Sequence, residues 1–136
     1  MPRSLLIGVD LVKDPAILHA AYNDSAGVTE AFNKNLLVRA NRELDADFDL
    51  GMFAHYAFYN PRWRRIEMHL MSLQPQQVSV CGQSIPFEEG ETIHTENSHK
   101  YTMEGFWALA AQAGFAPRRS WCDEAGLFSV HWLECV

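Results

Sequence analysis

The chain has 136 residues, 48% of them hydrophobic and 21% charged, with 17 acidic against 11 basic side chains and a net charge of −6. That is one domain's length with enough apolar content to bury a core, which excludes a disordered chain. The acidic balance argues against nucleic acid or an anionic membrane as a partner held by phosphate neutralisation. No apolar run approaches the roughly 20 residues of a membrane span. Met1-Pro2-Arg3 is not followed by a signal-peptide core, so a soluble cytoplasmic protein is expected. Cys81, Cys122 and Cys135 fit no even-numbered disulfide framework and no Cys-x-x-Cys pair, which predicts reduced, partly buried thiols.

Leu5 to Asp10 is a nearly continuous apolar run closed by an acid, the pattern of a central strand covered on both faces and usually parallel. Asp14-Pro15 then forms a helix start, with Ile17, Leu18, Ala21 and Tyr22 at helical spacing. A second start at Asn23-Asp24-Ser25 leads a helix to about Arg42, its stripe being Val28, Phe32, Leu36 and Leu37. From Phe53 to Tyr59 the chain is aromatic and strand-like, Asn60-Pro61 punctuates it, and Ile66, Met68 and Leu70 alternate with Glu67, His69 and Met71. With Val78, Val80, Gly82 and Pro86, this predicts a hairpin or meander over 53–87. Thr92 to Lys100 is too polar for a core strand and reads as a loop-to-helix junction. Thr102 caps a helix to about Ala113, with Phe106, Leu109 and Ala110 inward and Gly114 as its stop. Phe115 to Cys135 reads as an aromatic hairpin turning at Ala125-Gly126.

The glycines are scattered singly, so no G-x-G-x-x-G, Walker loop or other glycine cradle for a nucleotide is present. Asp45, Asp47 and Asp49 resemble the opening of a calcium loop, but Leu50 and Tyr56 stand where its glycine and bidentate Glu belong; a solvated, helix-capping loop is expected. His55, His69, His94, His99 and His131 show no helical pair and no zinc-like spacing, so no metal site is expected. No nucleophile elbow or cysteine signature supports covalent catalysis. There remains Thr95-Glu96-Asn97-Ser98. On an extended chain His94, Glu96, Ser98 and Lys100 share one face, with Thr95, Asn97 and His99 on the other. A carboxylate beside a hydroxyl offers an acceptor-plus-donor pair that suits an imidazole.

Gly8-Val9-Asp10-Leu11-Val12-Lys13-Asp14-Pro15, Ala21-Tyr22-Asn23-Asp24-Ser25-Ala26-Gly27-Val28-Thr29, Phe32-Asn33, Asn41-Arg42-Glu43-Leu44, Arg65-Ile66-Glu67-Met68 and Thr95-Glu96-Asn97-Ser98-His99-Lys100 occur in this order. Together they resemble the SAM-dependent histidine-specific methyltransferases, typified by the enzyme that trimethylates the histidine α-amine on the way to ergothioneine. The likeness runs from about Leu5 to the C-terminus. Members of that family are more than twice as long, and the half with their SAM-binding loop has no counterpart here.

The resemblance implies an α/β fold (α+β in isolation): the C-terminal part of a Rossmann-like methyltransferase with an inserted α+β substrate-recognition domain. Residues 1–11 then form a core strand, the fifth of the sheet. Residues 12–100 form the recognition domain, and 101–136 the last core helix and hairpin. Carried over residue by residue, Tyr22 bonds the amino-acid end of histidine, Met68 walls the imidazole, and Glu96 and Ser98 bind its nitrogens. No residue is an evident catalytic base, and binding of SAM is expected of the complete enzyme, not of this chain alone. The partners implied are histidine or a similar amino acid, and the N-terminal half or a second copy in a homo-oligomer. The alternative is a non-catalytic amino-acid-binding or assembly module derived from the same family.

Overall fold

Punctuation residues set the ends of most elements. The computed structural model describes residues 3–136, so Met1 and Pro2, with the leader expectation and the start of the 1–11 segment, lie outside the described residues. In chain order the elements are β1 (Ser4–Asp10), α1 (Pro15–Tyr22), α2 (Val28–Glu43), β2 (Phe53–Asn60), β3 (Arg65–Ser72), β4 (Gln76–Val80), β5 (Gln83–Phe87), β6 (Thr92–His99), α3 (Met103–Gln112), β7 (Phe115–Cys122) and β8 (Phe128–Cys135). This is a mixed α/β chain with antiparallel sheets, divided into two units. One holds residues 1–15, 61–65 and 99–136, the other 16–60 and 66–98.

In the first unit the strand order is β1-β8-β7. β1 pairs antiparallel with β8, Leu5 opposite Leu133 and Val9 opposite Ser129. The expected parallel neighbour is corrected to an antiparallel one, β8, and among the described residues β1 stands at the edge of this sheet. Helix α3 covers one face, where Val9, Phe106, Ala110 and Leu133 form the core. Only Phe106 and Ala110 of the expected inward stripe are buried, whereas Leu109 is exposed. The other face leaves Leu6, Trp121, Phe128 and Trp132 exposed. There the Phe128 ring lies over Gly8, and a Cβ on Gly8 would stand 2.7 Å from its Cζ, so glycine is required mid-strand. The β7–β8 ladder shifts register between Pro117 and Arg119, where proline has no N–H to give it.

Lys100, Ser129 and His131 are buried here with partners. Lys100 is buried with its Nζ 2.9 Å from Asp10, which Lys13 also bonds. Burial works to raise the Asp10 carboxyl, but the two lysines prevail and hold it below the usual carboxylate range. His131 is wholly buried. Ser129 gives its proton to the Val9 carbonyl at 3.0 Å, so its oxygen accepts from His131 Nε2–H at 2.8 Å. That leaves Nδ1 to accept from the Trp107 indole N–H at 3.1 Å, with Ser120 Oγ at 2.9 Å.

In the second unit the sheet order is β2-β3-β6, with β4-β5 as a separate hairpin. That hairpin turns at Cys81 and Gly82, both at positive φ (49° and 76°), the twist a two-residue turn needs. Leu37, Phe53, Leu70, Val78 and Phe87 form one core cluster, and Leu18, Ala57, Ile66 and Met68 another. Asp24 caps α2 by accepting from the Thr29 and Val28 N–H groups, which hold its carboxyl down to about 2. Asp49 caps the short 3-10 turn Leu50–Met52, and Asp47 accepts from Ser79 N–H at 2.7 Å.

Three expectations fail in this unit. The α2 stripe is inward only at Leu37: Val28, Phe32 and Leu36 are exposed, and buried Asn33 joins Leu37 on the inward face. Residues 92–99 form β6 rather than a loop, because an edge strand with one wet face accommodates their polarity. Cys81, like Cys122 and Cys135 of the first unit, is exposed rather than partly buried.

The burial that keeps His131 neutral lowers its pKa in the folded state. Its contribution is complete above the unfolded value of about 6.5 and is lost as pH falls from there through the folded value. The urea midpoint of the chain is expected to drop between pH 7 and pH 5, with a flatter slope in His131→Gln. An equal slope in the two proteins would show that His131 titrates alike folded and unfolded.

Candidate functional site

Asn33, buried on α2, uses its whole amide. Its Nδ2 donates to His55 Nδ1 on β2 at 2.9 Å and to the His69 carbonyl on β3 at 3.1 Å. Its Oδ1 accepts from Thr95 Oγ1 on β6 at 2.6 Å, a hydroxyl also 3.0 Å from the Met68 carbonyl. Because His55 Nδ1 is the acceptor, its Nε2 carries the proton and donates to the Tyr22 carbonyl at 2.8 Å. The Tyr22 hydroxyl then lies 2.7 Å from Ser98 Oγ. A buried amide on α2 thus holds the end of α1 and the middle of β6, the two elements that carry the residues singled out in the sequence.

Three of those four residues come together. Tyr22 bonds Ser98 and packs on the cluster that contains Met68, which is 2% exposed. Glu96 stands apart from them. It is exposed and lines an open groove of about 220 Å³ with Phe32, Asn33, Asn35, Leu36, Arg39 and Thr95. The expected two-face split of 94–100 does not hold. Burial alternates along β6 until Glu96 and Asn97, which are both exposed, and then resumes out of phase. Ser98 accordingly meets Tyr22, while Asn97 turns to His94, its Oδ1 2.7 Å from Nε2.

Spacing along the sequence missed a second constellation. Glu67 and His69 stand two apart on β3, and His94 is on the neighbouring β6. The ring atoms His69 Nε2 and His94 Nε2 lie 3.5 and 3.4 Å from Glu67 Oε1. Burial lowers the His69 pKa, His94 adds to that, and Glu67 opposes it. The available signal was the alternation of Glu67 and His69 on one strand face, but the partner strand was unknown.

Comparison with known proteins identifies the family. Residues 2–135 match the family described as histidine-specific methyltransferase, SAM-dependent. Histidine N-alpha-methyltransferases of Mycolicibacterium smegmatis and Mycobacterium tuberculosis are each 46% identical over 129 residues, covering 93% of this chain and 40% of the relative. Ergothioneine biosynthesis protein 1 of Neurospora crassa is 30% identical over 135 residues, covering 90% of this chain and 14% of the relative. The chain spans about two fifths of the length of the mycobacterial relatives it matches.

Loss of the Asn33 amide takes a partner from His55 Nδ1, the His69 carbonyl and Thr95 Oγ1, at about 1–3 kcal/mol for each group left unsatisfied. Of these, Thr95 Oγ1 keeps the Met68 carbonyl. Tyr22→Phe removes one neutral hydrogen bond, about 0.5–1.5 kcal/mol. Thermal melts are expected to show Asn33→Ala well below Tyr22→Phe in stability. The reverse order would show that the amide does not brace these elements.

Proposed function

Since the chain belongs to the SAM-dependent, histidine-specific methyltransferase family, we propose that it is the amino-acid-binding portion of an enzyme that methylates the α-amine of histidine. The observation that carries this is the Tyr22–Ser98 hydroxyl pair at 2.7 Å, set against the Met68 cluster. Glu96 stands two residues before Ser98 on the same strand. In this reading Tyr22 holds the amino-acid end of the substrate, Met68 walls the ring, and Glu96 and Ser98 take the imidazole nitrogens. The carboxylate accepts the ring N–H in a charge-assisted bond of about 1.5–3 kcal/mol, and Ser98 adds a neutral bond of about 0.5–1.5 kcal/mol. These residues bind and orient. Holding an amine in line with its methyl donor is itself a large part of catalysis.

S-adenosylmethionine supplies the methyl group in the complete enzyme. The residues described here do not fit it. After β1 the chain runs Leu11-Val12-Lys13-Asp14-Pro15 without a glycine, and a Cβ on Gly8 would meet Phe128. Gly27, Gly82, Gly90, Gly114 and Gly126 stand singly at positive φ. The cofactor site is therefore assigned to the other half of the enzyme. Residues 12–100 serve as the recognition domain, and 1–11 with 101–136 as part of a Rossmann-like core. The outer edge of β1 and the face bearing Leu6, Trp121, Phe128 and Trp132 are the surface that the N-terminal half, or a second copy, covers.

Two outcomes test the proposal. The chain alone, incubated with labelled methyl donor and histidine, is expected to give no methylhistidine; transfer above background would place the cofactor site in this chain. Joined to the N-terminal portion of a mycobacterial relative, it is expected to bind histidine in a calorimetric titration. Glu96→Ala should weaken that binding by roughly ten- to a hundredfold. It should also narrow the preference over amino acids of similar size that lack a ring N–H. Unchanged affinity and selectivity would overturn the histidine assignment.

A further inference from the structure

We propose that Glu67, His69 and His94 bind one divalent transition-metal ion of the zinc class, at a site separate from the amino-acid pocket. The proposal does not rest on the reading of that pocket. Its basis is a mismatch between spacing and hydrogen bonding. Both imidazole Nε2 atoms approach the same carboxylate oxygen, Glu67 Oε1, at 3.5 and 3.4 Å. Those separations are longer than the about 2.7–3.2 Å of a good N–H···O hydrogen bond. They match the edge of a coordination tetrahedron, because ligands about 2.0–2.1 Å from zinc stand about 3.4 Å apart. All three donor atoms lie within 4.8 Å of one another.

The surroundings leave the His69 donor atom available. His69 Nε2 is buried and has no hydrogen-bond partner among the described residues. Its Nδ1 lies 3.0 Å from Thr92 Oγ1, a hydroxyl that can accept Nδ1–H and so suits the tautomer with its lone pair on Nε2. Asn60 Nδ2 donates to Glu67 Oε2 at 2.6 Å, and Oε1 is the carboxylate oxygen near both rings. The His69 ring is fixed by stacking, with Phe58 at 5.4 Å and His94 at 4.4 Å between centroids. His94 supplies the adjustment. Its side chain is 37% exposed, and two stacked rings cannot both aim a lone pair at one ion. His94 must therefore swing about its broad Cβ–Cγ torsion and release Asn97 Oδ1, now 2.7 Å away. Two imidazoles and one carboxylate select zinc-class ions over calcium or magnesium and leave the fourth position to water.

The test uses the full chain with its exposed Cys81, Cys122 and Cys135 changed to serine. Calorimetry with Zn2+ is expected to show one site. Co2+ at that site should give the intense visible absorption of tetrahedral coordination. His94→Ala, at an exposed position, should lower Zn2+ affinity at least tenfold, and His99→Ala should leave it unchanged. Paramagnetic broadening by Co2+ in NMR spectra of the unmutated site provides a second measurement, expected first at the amides of Glu67, His69 and His94. Absence of a Zn2+ site, a loss below tenfold in His94→Ala, or broadening centred elsewhere would overturn the proposal.

Discussion

The Asn33 amide has one acceptor and two donor positions, and all of them are used across different elements. A buried amide with any of these partners missing would destabilise the fold rather than support it. The arrangement therefore constrains α2, β2, β3 and β6 together. It also sets the His55 tautomer, which carries the constraint to the Tyr22 carbonyl. Apolar packing around Met68 and Leu18 would tolerate small shifts of α1. The amide and imidazole bonds do not, because they fix α1 relative to the sheet in direction as well as distance. A hydroxyl pair 76 residues apart in sequence is positioned by that geometry.

The first unit is organised on a different principle. Its buried polar groups, Lys100 and His131, are neutralised or satisfied locally by Asp10 and by two serines and an indole. Lys100 is the residue just after β6, and its pairing with Asp10 closes the end of β1. Breaking a buried ion pair from one side costs far more than the pair itself contributes. These contacts therefore specify the fold of the first unit more than they stabilise it.

The parts legible in the sequence are those decided by neighbours in the chain. Pro15, Asn60-Pro61, Thr102 and Gly114 mark boundaries through backbone geometry, and the structure breaks at each of them. The face of α2 was not legible, since Val28, Phe32 and Leu36 match helical spacing as well as the true inward residues do. Only the partners of Asn33 on three strands decide the matter, and they are not adjacent in sequence. The same holds for β6, whose polarity suits an edge strand once β3 is known to lie beside it. The slip at Glu96–Asn97 is a local irregularity that a strict period of two cannot anticipate. Glu67 and His69 were visible as a pair, but His94 became their neighbour only through sheet order.

The pairing of β1 with β8 bears on how the chain acquires its structure. Val9 and Ser129 are joined by a hydrogen bond across 120 residues, against 76 for the Tyr22–Ser98 pair of the second unit. Loop closure of that span must precede any reward from the ladder, which makes it an entropically late event. During synthesis, β1 leaves the ribosome long before its partner strand exists. The edge of β1 that β8 takes is open for that interval, and an unpaired strand edge is a template for other strands.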